Sequence, residues 1–434
     1  MGQTPTTADI QLSTSVVDIS VQDPQSSTEQ GQTTLADTYE LEGRAWRLKK
    51  RKDAFQDTVL KLQLRTFYLG REKFDGSEME SMAIGGWVGV KTGYFVDHLS
   101  LGVTGYTSQK LIGDEDKDGA GLLKPGQESY SVVGELFADI KVVDDLNLYV
   151  GRKEFDTPYI NRNDVRMTPN TFEAIVLQGR YKSGEGKDDG VLKYGVGYFD
   201  KIKERNSDEF VSMAKDAGAS VERGVYVAGV NYQQGPASIG AINYYSDDII
   251  NIAYTEARFA LNFSETFQPK VALQFTDERS VGDDLLQGKH FSSQAYGMKV
   301  DIPFGQALFT AGYTYTAEGA NMQNPWSGYP GYTSVQVEDF NRAGESGTIL
   351  RASYEFLSLE GLSAYALWVH GTEPEAAGQY AKDEYDLNLQ WAAPKGTTLE
   401  GLAFRLRYAN VEQHGGDVQD LKDFRAIINY ARQF

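Results

Sequence analysis

From Thr58 to Phe434 the sequence alternates apolar and polar residues with a period of two, in short stretches broken by Gly, Asp, Asn and Pro. That period sends successive side chains to opposite faces of a strand. In Val59-Leu60-Lys61-Leu62-Gln63-Leu64-Arg65-Thr66-Phe67-Tyr68, Leu60, Leu62 and Leu64 share one face; Lys61, Gln63 and Arg65 share the other. The closing run repeats the pattern, with Phe424, Ala426, Ile428 and Tyr430 against Arg425, Ile427, Asn429 and Ala431. Eighteen such stretches can be counted, among them 58–69, 82–95, 221–233, 237–246, 382–392 and 422–434. Each is close to the roughly nine to eleven residues a tilted strand needs to cross a bilayer.

The connections carry an independent signal, because they alternate between long and short. Residues 70–81, 109–129, 155–170, 202–220, 278–290, 319–346 and 413–421 are long; 96–98, 142–145, 234–236, 264–265, 303–304 and 394–398 are tight. Only 247–249, short on the long side, breaks the trend. Outer-membrane barrels pair short periplasmic turns with long outer loops. A soluble sandwich or propeller has no reason to sort loop length by parity. In lipid every backbone group must find a partner within the protein, so a spanning sheet has to close. The expectation is an all-β, closed antiparallel transmembrane β-barrel of 18 strands with inward-folded loops, apolar outside and polar inside. The 26 Tyr and 21 Phe suit its aromatic girdles, with Phe67-Tyr68, Tyr94-Phe95, Tyr198-Phe199, Tyr244-Tyr245, Tyr313 with Tyr315, and Tyr354 with Phe356 near strand ends.

Composition excludes other classes. With no cysteine there is no disulfide, thiolate nucleophile or sulfur-based zinc cage. Against 61 Asp and Glu stand 42 Lys and Arg, a net charge of −19, which lacks the basic footprint of a nucleic-acid binder. No run of apolar residues approaches the length of a membrane helix. Residues 1–43 contain no Lys or Arg and are rich in Thr, Ser and Gln, a composition that cannot bury enough apolar area to fold alone. Six cations in nine residues follow, from Arg44 to Lys52. This cluster reads either as a solvated basic linker or as a segment that meets anionic head groups or an acidic lumen. The expected division is a disordered or periplasmic segment 1–55 carrying the basic cluster 44–52, followed by a barrel at 56–434. The chain opens without a charged-then-apolar leader, so an exported protein is expected to have lost its signal peptide before this numbering starts.

Several stretches together resemble the OprD family of outer-membrane substrate-selective porins. Leu60 to Tyr68 is similar to that family's opening strand, and Asp164-Val165-Arg166-Met167-Thr168-Pro169-Asn170-Thr171-Phe172-Glu173 to the segment that closes its inward-folded third loop. Gly331 to Glu345 looks like its long seventh loop, with Leu350-Arg351-Ala352-Ser353-Tyr354-Glu355-Phe356 as the strand after it. Gly401-Leu402-Ala403-Phe404-Arg405-Leu406-Arg407-Tyr408 resembles a late strand of the family. These matches run in the same order over about 56–434. The resemblance implies an eighteen-stranded porin in the outer membrane of a Gram-negative bacterium, a monomer or loose trimer, bathed in outer-membrane lipid. It also implies a basic ladder on one wall and a constriction made by loops three and seven.

By parity Lys61, Arg65, Arg351, Arg405 and Arg407 project inward; on the lipid face near the midplane each would cost about 2–4 kcal/mol. A plainer reading has them neutralised by lumen acids such as Glu355 and Asp386. Loop three contributes Arg162 and Arg166, and loop seven Ser334, Asp339 and Arg342. Asp114-Glu115-Asp116-Lys117-Asp118-Gly119 has the opening of a calcium loop, so Asp114, Asp116 and Asp118 are candidate ligands, although Pro125 holds the twelfth position. His98, His290, His370 and His414 lack ligand spacing and read as loop or interface residues. Gly195-Val196-Gly197 opens no helix and is no phosphate loop. No cofactor beyond that possible calcium is expected, and no nucleophile–base pair suggests an enzyme. The expected function is facilitated diffusion of small hydrophilic solutes, carboxylates or amino acids. A barrel sheath enclosing a partner protein, such as an electron-transfer or lipoprotein component, is the rival.

Overall fold

The computed structural model describes residues 44–184, 189–264 and 267–434. A helix α1 (Arg44–Gln56) leads into β1 (Val59–Glu72), β2 (Glu78–Lys91), β3 (Leu99–Ile112), β4 (Tyr130–Val143), β5 (Leu146–Lys153), β6 (Thr171–Lys182) and β7 (Val191–Lys203). A two-residue strand β8 (Val211–Ser212) and a short helix α2 (Met213–Asp216) lie in the next loop. Then come β9 (Val225–Gln234), β10 (Ala237–Ser246), β11 (Ile250–Ala260), β12 (Lys270–Arg279), β13 (Ser292–Phe304) and β14 (Ala307–Thr316). The chain ends with β15 (Ser346–Glu355), β16 (Leu362–Gly371), β17 (Lys382–Ala392), β18 (Leu402–Gln413) and β19 (Leu421–Gln433).

Each long strand pairs antiparallel with the next, β7 pairs with β9, and β19 returns to β1, closing a ring of eighteen. The extra strand β8 pairs only with β7, over two residues. Closure leaves no open edge, the condition for a sheet in hydrocarbon. Where β2 crosses β1 the strands approach so closely that a Cβ on Gly86 would sit 2.0 Å from the Gln63 carbonyl oxygen; its φ of +124° also calls for glycine.

Parity sorts the two faces as expected. Leu60, Leu64, Leu350, Leu387, Leu406, Phe424 and Ile428 are exposed on the outside, while Arg65, Asp386, Asp423 and Arg425 are buried within. Four sequence expectations need correction. Adjacent aromatics do not both join the girdle: Tyr245 is exposed but Tyr244 buried, and Phe67 and Phe199 point inward, because neighbours in a strand face opposite ways. Nor is the inner face uniformly polar. From β5 to β11 it carries Tyr149, Phe172, Phe199, Tyr244, Ile252 and Tyr254, packed with Phe155 and Tyr159 of loop three, Met213 of loop four and Trp326 of loop seven. Residues 73–77 make a short first loop, because β1 and β2 extend past the point where alternation fades in the sequence.

The fourth correction concerns the segment before the barrel. Residues 44–56 are helical rather than a linker. The helix caps the first turn on the strand-entry side: Ala54 is buried and accepts from the Gly93 N–H at 2.8 Å, Phe55 meets Phe95 edge-on, and Lys50 pairs with Asp97 at 2.9 Å. Residues 1–43, expected to lack a fold of their own, lie outside the described residues.

Candidate functional site

Two loops turn into the bore and are pinned to its wall. Loop three, residues 154–170, is held at one end by β10, where the Tyr244 hydroxyl donates to Thr157 Oγ1 at 2.9 Å and accepts from the Tyr159 N–H at 3.2 Å. At the other end Arg65 of β1 grips Asp164 with both terminal nitrogens, at 2.6 and 3.2 Å, and also donates to the Arg166 carbonyl oxygen. Since β8 stands outside the ring, β10 is its ninth strand, eight places from β1 and one short of diametrically opposite. Loop three therefore spans the bore as a chord.

Loop seven, residues 317–345, runs from β11 to β17 and β19. The Tyr332 hydroxyl donates to Glu256 at 2.7 Å. Further along, the Glu384 carboxylate accepts the Val337 and Glu338 N–H groups, each at 2.8 Å, and Asp386 accepts the Gln336 N–H at 3.2 Å. Gln336 reaches Asp423 at 2.7 Å, and Arg425 donates to the Gln336 carbonyl at 2.9 Å. Three successive backbone N–H groups pointing at two carboxylates satisfy donors that burial would otherwise strand. The two loops also touch each other, through Ser327 Oγ and the Asn161 backbone at 2.8 Å.

On the inner face of β15 and β18 stands a row of arginines. Arg351 lies with its guanidinium 3.8 Å from the centre of the Tyr365 ring and donates to Ser353 at 3.0 Å. Arg407 reaches the Tyr365 hydroxyl at 3.4 Å, and Arg405 donates to Asn388 at 2.6 Å. Every one of these partners is neutral. Among the described residues no carboxylate lies within ion-pair distance of Arg351, Arg405 or Arg407; of the acids named in the plainer reading, Asp386 acts on Arg351 and Arg407 through space without contact.

Other sequence candidates have different surroundings. Lys61 faces the bore and is exposed. Arg65 is buried, paired with Asp164 and 5.3 Å from the Trp87 ring, so it braces loop three. Arg162 pairs with Asp156 at 3.3 Å and more distantly with Glu154 at 3.9 Å. Arg166 donates to the Ala120 carbonyl at 2.8 Å, tying loop three to loop two. Arg342 is engaged by Glu345 at the base of its own loop, at 2.5 and 3.0 Å, and by the Tyr380 carbonyl of the β16–β17 loop at 3.0 Å. Ser334 donates to Asp339 at 2.5 Å and Asn324 adds a second bond at 3.2 Å; burial pushes the Asp339 carboxyl above the usual carboxylate range.

Asp114, Asp116 and Asp118 do not converge into a cation cage. The Asp118 carboxylate instead accepts the N–H groups of Gly119 and Gly126, each at 2.6 Å, and so closes its own loop. Among the described residues the acid–imidazole group that does gather is His370, Asp383 and His414. Two residues important to this geometry were not singled out from sequence. Tyr365 bridges Arg351 and Arg407, and Arg425 with its partner Asp423 anchors loop seven. Arg425 did stand on the inward face by parity; nothing in the sequence marks Tyr365 beyond its place in an alternating strand.

The sequence matches the family model described as outer membrane porin, OprD family, over residues 52–434. A search of curated proteins finds no match. Among solved structures it is similar to Pseudomonas aeruginosa OccK9 (OpdG), with a TM-score of 0.77 and 23% identity over 88% of this chain and 100% of that one. Acinetobacter baumannii OccAB3 gives 0.76 and 18% over 87% of this chain and 100% of that one. Pseudomonas aeruginosa OpdK, solved with vanillate, gives 0.73 and 19% over 88% and 100%. At these identities the structural likeness shows the fold alone.

Proposed function

This chain belongs to the OprD family of outer membrane porins, and we propose that its arginine row and two bore-spanning loops form an eyelet that selects small anionic solutes, carboxylates above all. As a porin of that family it is a non-enzymatic channel for small solutes in the Gram-negative outer membrane.

The observation that carries the anionic reading is the contrast between two sets of arginines. Arg65 and Arg342 each hold a carboxylate of their own, and Arg71 and Arg425 share Asp423, so each has an acid in contact that offsets its charge wholly or in part. Arg351, Arg405 and Arg407 face Tyr365, Asn388 and Ser353, which orient a guanidinium without cancelling its charge. A net charge of −19 does not override this local field. Screening at physiological salt has a length of about 8 Å, so charges on the far side of the bore contribute little at the eyelet.

Guanidinium groups bind carboxylates by paired N–H donors. Spread along a wall, three of them let an anion pass from one to the next without a deep trap, which conduction requires. OpdK solved with vanillate, itself a carboxylate, supports the substrate class. Loops three, four and seven also fill much of the bore with this chain's own residues, which favours a channel over a sheath around a partner.

Reversal potential across a salt gradient tests the proposal. The native barrel should prefer anions, and Arg405→Gln with Arg407→Gln should abolish or invert that preference. An unchanged potential in the double variant would refute the eyelet.

A further inference from the structure

Outside the bore, three side chains from three neighbouring segments meet on the barrel's outer wall. His370 and Asp383 face each other across the β16–β17 ladder, and His414 follows β18, with its N–H bonded to the Ala381 carbonyl at 2.9 Å. His370 Nδ1 lies 2.9 Å from one Asp383 oxygen, and His414 Nε2 contacts the other. All three ligand atoms fall within 4.8 Å of one another.

Parity places them outside. Leu367 and Val369 of β16 are buried against loop seven, so Trp368 and His370 point outward; Tyr385 and Leu387 of β17 are exposed, which sets Asp383 on the same side. The cluster lies at the loop end of these strands, above Trp368, Tyr385 and Tyr408, where an aromatic belt marks the edge of the hydrocarbon. It is thus separate from the arginine row, which shares the same strands but faces the bore.

We propose that His370, Asp383 and His414 form a binding site for a divalent transition-metal ion of the zinc class. Two imidazoles and one carboxylate are the donor set such ions favour, whereas calcium and magnesium require more oxygens. Metal bonds of about 2.0–2.2 Å need only a small separation of side chains already gathered this closely. Each ring would give the lone pair of the nitrogen now facing Asp383 and keep its proton on the other nitrogen. Three protein ligands leave a fourth position for water.

The ligands are themselves held in place. Trp368 Nε1 donates to Asp383 at 3.0 Å and its ring stacks on His370 at 6.1 Å with planes 22° apart, fixing both carboxylate and imidazole. Solvent can reach the site, since the His370 and His414 side chains are 38% and 46% exposed while Asp383 is 12% exposed. A bound ion would fasten β16, β17 and the β18–β19 loop, residues 414–420, together at the outer rim.

The test is titration of chelator-stripped, tag-free barrel in detergent with Zn²⁺, followed by calorimetry, and with Cu²⁺, followed by electron paramagnetic resonance. The expected result is one equivalent of either ion and a copper spectrum with two nitrogen ligands. His370→Gln with His414→Gln should lower zinc affinity at least 100-fold while His98→Gln with His290→Gln leaves it unchanged. Heat-shifted gel mobility reports that each variant is a folded barrel. Asp383→Asn gives a second reading, with both imidazoles retained and affinity reduced at least tenfold. Absence of stoichiometric binding, or binding indifferent to the His370 and His414 substitutions, would overturn the proposal.

Discussion

Arg407 stands directly opposite Arg425 in the β18–β19 register, both on the inner face, and only Arg425 holds a carboxylate, Asp423 at 2.6 Å. A like-charged cross-strand pair is unfavourable, and Asp423, which Arg71 also holds at 2.7 Å, contacts only the Arg425 member of it. Arg407 is left without a carboxylate in contact, its nearest polar partner being the Tyr365 hydroxyl at 3.4 Å.

Arg407→Gln should therefore reduce anion preference by itself. One charge acting at about 4 Å in water-like surroundings is worth about 1 kcal/mol, or about a five-fold change in relative permeability. Reversal potentials measured with chloride and with a small carboxylate will show it. Arg342→Gln, which removes a cation already paired with Glu345, should leave the ratio within two-fold.

Arg65→Met should free one end of loop three. It removes the bidentate grip on Asp164 and the bond to the Arg166 carbonyl, leaving Asp164 without its cation. Breaking a buried pair costs about 3–5 kcal/mol; Asp164 is partly open to water, so a loss near the lower end is expected. Single-channel records should show frequent brief closures, and urea-induced unfolding in lipid should shift to lower denaturant.

Glu384→Ala should loosen loop seven without touching a cation. It strands the Val337 and Glu338 N–H groups, each at a cost of about 1–3 kcal/mol if the loop stays in place. The cheaper outcome is that the segment swings toward water. Conductance should rise and become noisy, while the sign of ion selectivity stays as in the native barrel because the arginine row is intact.

In loop four, burial raises the Asp216 carboxyl from 3.8 to about 8. Between those values the folded chain holds a proton that the unfolded chain has released. Stability contributed by this group is therefore complete below pH 4 and is lost as pH rises toward 8. Asp216→Asn should flatten that slope, so amide exchange over 211–219 should be slower than native at pH 8 and similar at pH 4.

How far the sequence discloses this molecule depends on whether a feature is local. The boundaries 237–246 and 382–392 agree with β10 and β17; for β10 the alternation begins and ends at tight turns, residues 235–236 and 247–249. The second strand was expected at 82–95 and lies at Glu78–Lys91, since a strand that continues past the membrane into water no longer needs alternating polarity. Inward arginines were visible by parity. Which of them are free of carboxylates was not, because Asp164 reaches Arg65 through a loop and Asp423 reaches Arg71 across a ladder. His370, Asp383 and His414, 13 and 31 residues apart, meet only through the registers of β16, β17 and β18. Helix α1 escaped notice because its packing against the barrel comes from Ala54 and Phe55, just beyond the charged cluster, whose Lys50 adds an ion pair with Asp97.

The pairing of β1 with β19 brings Leu60 and Phe434 together by two reciprocal N–H···O bonds of 2.9 Å. This seam joins residues at least 350 positions apart, so every intermediate strand must be in place before it can zip. An abbreviated polypeptide lacking β19 would present two raw edges to acyl chains at once. Such a product is expected to be cleared rather than to persist as a leaky hole, and the envelope is thereby protected from half-made channels.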